Sequence, residues 1–214
     1  MPDVLRLLID PSWPAPALLE QAASAIRGGG LVALPTDTVY GLAADPFCAP
    51  AAQRLFAVKG RELSRALPLI AADMAQLETA HGAVPPLMRM LADRFWPGPL
   101  TLLMPAPKTL APEVAGDTGR VGVRVPDHAV ARGLCRASGR VLTATSANLS
   151  GAPASNDPND VVASLGGKID VVLDAGKTRG GPPSTIVDVS GAEPRLVRSG
   201  AIPWEMVLEC ARHA

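Results

Sequence analysis

The chain reads as an α/β protein: a single domain in which a twisted mixed sheet is flanked by helices. Three observations predict it. Apolar runs of strand length alternate along the chain with segments of helical period. Hydrophobic residues make up 48% of the 214, enough for a sizeable core and too many for a disordered chain. The 22 prolines and 20 glycines are spread along the chain as punctuation and do not gather in a linker. No internal repeat or low-complexity stretch divides the sequence. One domain is therefore expected over residues 1–214, with its core at about 15–205.

The elements follow in order. Leu18, Leu19, Ala22, Ala25 and Ile26 share one face of a helix over 15–27, stopped by Gly28-Gly29-Gly30. A buried strand at 31–34 closes at Pro35, and a helix at 51–58 carries Leu55 and Phe56. Strands are expected at 67–71, 100–104, 121–125, 141–145, 171–174, 184–189 and 195–198. Helices are expected at 86–95, 129–137 and 160–165, with a last one at 203–212 that begins on Pro203. Pro105, Pro107 and the hairpin-like end of the chain favour a mixed sheet over a purely parallel one.

Composition excludes several classes. Lys+Arg and Asp+Glu are both 20, so the chain is neutral overall and not a globally basic nucleic-acid binder. Only 3% of residues are aromatic, which argues against a base-stacking platform. Three widely spaced cysteines, Cys48, Cys135 and Cys210, suggest neither a disulfide framework nor a zinc site. The apolar stretch within residues 1–10 is too short for a secretory signal, and no window suits a membrane span. A cytoplasmic protein with no membrane partner is the expectation. Gly176-Lys177-Thr178 lacks the upstream glycine of a phosphate loop, because Val171 stands there.

Five stretches carry chemistry. Thr36, Asp37 and Thr38 follow a buried strand, where open α/β sheets bind ligands, and in extended chain the two threonines share a side. Lys59-Gly60-Arg61, with Arg65 four residues on, concentrates cations that suit a phosphate chain or simply dress a helix C-terminus. Arg124 interrupts a valine-rich strand, with Arg120 just before it, so it needs a carboxylate or a phosphate as partner. Residues 143–151 run Thr-Ala-Thr-Ser-Ala-Asn-Leu-Ser-Gly, small groups that let a ligand approach the backbone; Ser146 and Asn148 share a face in extended chain. Finally, Ser184 opens one strand and Arg198 closes another.

Taken in order, the blocks PTDTVYGL, KGR, VGVRVPDH, TSANLSG, STIVD and LVRSGAI resemble the YrdC-like threonylcarbamoyl-AMP synthases over about residues 20–205. The chain looks like the short, single-domain form. The resemblance implies a positively charged concave cavity within the mixed α/β fold. It also implies synthesis of threonylcarbamoyl-adenylate and pyrophosphate from L-threonine, bicarbonate or CO2, and ATP with Mg2+. A downstream tRNA threonylcarbamoyl transferase complex would consume the product, modifying tRNA next to the anticodon.

Matched by position, Lys59 and Arg61 would be catalytic. ATP would be bound by Lys59, Arg61, Arg65, Arg120, Ser146, Asn148 and Arg198. L-threonine would be bound by Thr38, Arg124, Ala144 and Ser184, and no protein metal site is implied. Glu62, Arg65, Ile70 and Ala154 depart from residues common in relatives (Pro, Asn or Lys, His, and Ser). The competing expectation is a non-catalytic RNA-binding module, and weak tRNA binding is compatible with either.

Overall fold

The computed structural model describes residues 4–60, 62 and 66–212. In chain order the elements are β1 (Leu5–Leu8), α1 (Pro16–Arg27), β2 (Val32–Leu34), β3 (Gly41–Ala43), α2 (Ala49–Lys59), β4 (Leu69–Ile70), α3 (Met74–His81) and α4 (Pro86–Phe95). There follow β5 (Leu100–Pro105), α5 (Pro112–Ala115), β6 (Arg120–Arg124), α6 (Ala129–Ser138), β7 (Leu142–Thr143) and β8 (Thr145–Ser146). The chain closes with α7 (Pro158–Leu165), β9 (Val171–Asp174), β10 (Thr185–Asp188), β11 (Arg195–Arg198) and α8 (Trp204–Ala211).

The expected mixed α/β architecture is present, but the strands divide into two sheets, not one. Among the described residues the first runs β1-β9-β2-β3-β8 and the second β11-β10-β5-β6-β4-β7. Each mixes parallel and antiparallel pairs: β9 lies parallel to β2 while β3 is antiparallel to it, and β6 is parallel to β4 but antiparallel to β5. The division occurs inside the strand expected at 141–145. Residues before Ala144 pair with β4 in the second sheet, and residues after it pair with β3 in the first. Two bonds fix the crossing: the Thr143 amide donates to the Ala44 carbonyl at 3.0 Å and the Ala144 amide to the Pro68 carbonyl at 2.8 Å. A buried backbone must satisfy such groups, so the crossing chain is held from both sides.

Two apolar clusters bury the faces of the sheets. One gathers Leu55, Phe56, Met88, Leu91 and the strand residues Leu100, Leu102, Val121 and Val123; the other packs Leu19, Ala22 and Ile26 of α1 and Val130 and Leu134 of α6 beside β2 and β9. Helix α1 meets α6 closely because Gly133 has no side chain: a Cβ there would stand 2.7 Å from Leu19 Cδ1. The three cysteines are free thiols. No helix among the described residues is long and apolar enough to cross a membrane.

Candidate functional site

A cavity of about 630 Å³ opens where the two sheets meet. Its walls come from the loop after β2, the strands β4, β5 and β6, the crossing at Ala144, and the segment leading into β10. Thr101 and Leu103 of β5 and Gly122 and Arg124 of β6 alternate along their strands, so the cavity floor is one face of the second sheet. Arg124 and Arg198 are the charged side chains among the described lining residues.

The loop after β2 is locked by its own hydroxyls. Thr36 Oγ1 donates to the Val39 carbonyl at 2.7 Å and lies 3.1 Å from Thr38 Oγ1, so the two threonines share a side as the alternation predicts. The single Thr36 proton is committed to Val39, so Thr38 donates to Thr36. The remaining lone pairs of Thr38 Oγ1 are then left as acceptors at the cavity wall. Thr178 Oγ1 holds the Thr38 carbonyl at 2.8 Å, and the Tyr40 hydroxyl donates to the Gly176 carbonyl at 2.8 Å. Burial pushes the Tyr40 pKa up to about 12, so this phenol stays protonated.

Arg124 finds the partner that its place in β6 demands. Its guanidinium donates to Asp37 Oδ1 at 2.8 Å, with the two side chains only 11% and 8% exposed. Burial pulls the Arg124 pKa down and the neighbouring Arg198 charge adds to this, while Asp37 opposes both. Arg124 is therefore held in an internal ion pair and lines the cavity at once. Asp37 Oδ2 is buried with no hydrogen-bond partner.

The opposite wall holds Ser184 and Arg198. Ser184 Oγ lies 2.8 Å from Thr101 Oγ1, and the Arg198 guanidinium donates to the Ser184 carbonyl at 2.8 Å and hydroxyl at 3.2 Å. Gly200 permits this arrangement, because a Cβ there would sit 2.3 Å from the Pro183 carbonyl oxygen. Gly122 keeps the floor open in a similar way; its Cβ would press on Thr101 Cγ2 at 2.9 Å.

Thr38, Arg124, Ala144, Ser146, Ser184 and Arg198 thus line one cavity. The other expected residues stand elsewhere. Arg120 is at the far end of β6, bonded to Asp188 at 2.5 Å and outside the lining. Asn148 borders an adjacent hollow of about 280 Å³ that shares Ala154 with the main cavity. Its amide donates to the Leu149 and Ala152 carbonyls, and its Oδ1 is buried without a partner. The shared face expected of Ser146 and Asn148 fails because β8 ends at Ser146. Lys59 is the last helical residue of α2, not part of an extended stretch, and its ammonium is buried against the Ser146 and Asn148 carbonyls. Arg61 and Arg65 lie outside the described residues.

Two residues of the site, Thr101 and Gly122, sit inside ordinary strand patterns and lacked a functional signal of their own; Asp37, which the first motif includes, is bonded to Arg124 and is not itself in the lining. Among the described residues no group of three or more His, Cys, Asp or Glu could hold a metal ion.

Comparison with known proteins gives one answer. The Sua5/YciO/YrdC family model, described as telomere recombination, matches residues 24–200. A relative from Pyrococcus abyssi named threonylcarbamoyl-AMP synthase is 41% identical over 186 residues, 87% of this chain and 55% of its own length. One of the same name from Vibrio cholerae is 43% identical over 166 residues, 76% of this chain and 87% of its own. The chain thus spans about half the length of the first relative and most of the second. The crystal structure of P. abyssi Sua5 complexed with L-threonine superposes with a TM-score of 0.89 at 37% identity, covering 97% of this chain and 60% of that one. E. coli YciO gives 0.84 at 25% identity, covering 94% and 97%. With 177 consecutive positions (24–200) inside the family match and the same fold in solved relatives, the chain belongs to the Sua5/YciO/YrdC family.

Proposed function

We propose that this chain is a threonylcarbamoyl-AMP synthase, converting L-threonine, bicarbonate or CO2, and ATP into threonylcarbamoyl-adenylate and pyrophosphate. The observation that carries the reading is the meeting of Thr38, Arg124, Ala144, Ser146, Ser184 and Arg198 on one cavity, in a chain whose relatives bear that name. The P. abyssi structure complexed with L-threonine supports the choice of amino acid.

In this reading the threonine carboxylate meets the Arg124 donors that Asp37 leaves, a pairing that a planar guanidinium serves well. Thr38 Oγ1 accepts from the amine, and Ser184 and the Ala144 backbone complete the amino-acid end. The amine nitrogen forms a bond to the carbon of CO2 and loses a proton. A carbamate oxygen then attacks the α-phosphorus, and the bond to the β-phosphate breaks to release pyrophosphate. Charge grows on carbamate and triphosphate together. Arg198 supplies fixed positive charge against it, the motif residues Arg61 and Arg65 would add theirs, and Ser146 and Asn148 hold the nucleotide. Charge stabilisation of this kind needs no covalent nucleophile.

Magnesium would accompany the triphosphate. The described residues offer no cage for it, since Asp37 is committed to Arg124, and no step is derived through the ion. A transferase acting on tRNA next to the anticodon would take the adenylate, in the cytoplasm, with at most weak tRNA binding by this chain. The test is pyrophosphate release from ATP with single amino acids. Release that needs both threonine and bicarbonate is expected. Salt-sensitive RNA binding without ATP turnover would replace this reading with a non-catalytic one.

A further inference from the structure

The motif lysine is built into the fold as a strut. Lys59 is 3% exposed and does not line the cavity. Its ammonium donates to the Ser146 carbonyl at 2.5 Å and the Asn148 carbonyl at 2.7 Å, while its own carbonyl accepts the Ser150 amide at 2.8 Å. One residue at the end of α2 is therefore tied to both ends of the segment 146–150. Gly60 makes this possible. Its left-handed backbone, φ 59°, ends the helix directly after the lysine.

A buried ammonium is costly unless its charge is met by hydrogen bonds. The Ser146 and Asn148 acceptors are main-chain oxygens, so these two bonds fix the course of the backbone rather than one side chain. That course presents Ser146 to the main cavity and Asn148 to the hollow beside it. Although an ammonium carries three donors, Lys59 is almost fully buried and outside the lining, so it presents none of them to a ligand in the main cavity.

We propose that Lys59 is a positioning residue, which shapes segment 146–150 through the two carbonyls and makes no contact with the triphosphate. The proposal rests on reading that segment as nucleotide-binding. It predicts a loss that ignores the number of phosphates. In Lys59→Met, calorimetry should find ATP and AMP weakened by the same factor, about tenfold or more for the lost charge-assisted bonds. Amide exchange at Asn148 and Ser150 should quicken, and Lys59→Gln, which still donates, should recover part of both effects. Weakening of ATP with AMP unchanged, or exchange at wild-type rates, would overturn it.

Should neither variant fold, the wild-type Lys59 Nζ resonance decides. Inorganic tripolyphosphate should leave it in place; a large shift contradicts the proposal. A wild type that binds neither nucleotide overturns the proposed function itself. A wild type that binds both, with a variant whose loop is unmoved, overturns only the role of Lys59.

Discussion

Two arginines stand at the two ends of one strand. Arg120 and Arg124 both belong to β6, both are bonded to an aspartate, and their positions four apart put them on the same face. Yet Arg120 is 42% exposed and joins Asp188 beside Arg195, whereas Arg124 is 11% exposed and walls the cavity. The difference lies in their surroundings. The Arg120 end of β6 meets the strand end that carries Asp188. The Arg124 end meets the loop after β2 at the junction of the two sheets. A motif that contains both residues cannot separate a surface ion pair from a cavity-lining one, because each partner comes from a distant part of the chain.

The largest expected effect is at the cavity end. Arg124→Ala should lower kcat/KM for threonine by about 10²-fold or more, the scale of losing one fixed charge-stabilising donor, with little change in KM for ATP. A comparable loss in both substrates would mean that the residue serves the fold.

The next largest is at the other end and concerns stability. Asp188 receives Ser190, Arg120 and Arg195, and both arginines are largely exposed, so Asp188→Ala should cost about 1–2 kcal/mol in denaturant unfolding, the scale of its hydrogen bonds plus weak exposed ion pairs. The same network sets an acid limit. Burial pushes the Asp188 carboxyl up, but the Ser190 hydroxyl and amide and the arginines more than offset it, holding the pKa at about 2 against the ordinary 3.8. A lowered folded pKa means that this stabilisation is whole above about pH 4 and is lost as pH falls through 2. Wild-type stability should fall in that window and the Asp188→Ala variant should be flatter there.

Ser184→Ala should raise KM for threonine by about tenfold, for one hydrogen bond lost at the site, and should loosen Arg198, which also uses that hydroxyl. The smallest effect is expected from Arg120→Ala. Its exposed pair contributes about 1 kcal/mol or less, and turnover should stay within about twofold of wild type. A large loss of ATP affinity there would restore the contact that the motif suggests and remove the contrast between the two ends.

Local signals carried much of the fold. The helix at Pro86–Phe95 and the strands at Val171–Asp174 and Arg195–Arg198 match the sequence expectation residue for residue, since proline, glycine and apolar runs bound them. Strand β1 was not legible because Leu5 and Leu8 face outward, so its pattern shows no buried alternation. Strand β3 is three residues long and hidden in a polar motif. Helix α3 did leave a trace: Asp73 accepts the Gln76 amide as a cap, and Asp-x-x-Gln is a helix-start signature. The two-sheet division turns on hydrogen bonds from Thr143 and Ala144 to residues far away in the chain, which no local pattern encodes. For the same reason the motifs pick out residues that largely meet at one cavity but not the partners each of them finds. Asp37 fixes Arg124 from a distance in sequence, and Lys59 faces carbonyls where a run of cations suggested phosphates.

The most direct measurement of the central claim is threonine binding by calorimetry to wild type, Arg124→Ala and Arg120→Ala. Wild type and Arg120→Ala should bind with similar affinity, and Arg124→Ala should show no measurable heat while keeping its thermal unfolding transition. Equal binding by all three proteins, or loss in Arg120→Ala alone, would contradict the placement of the amino acid at the Arg124 end of the strand.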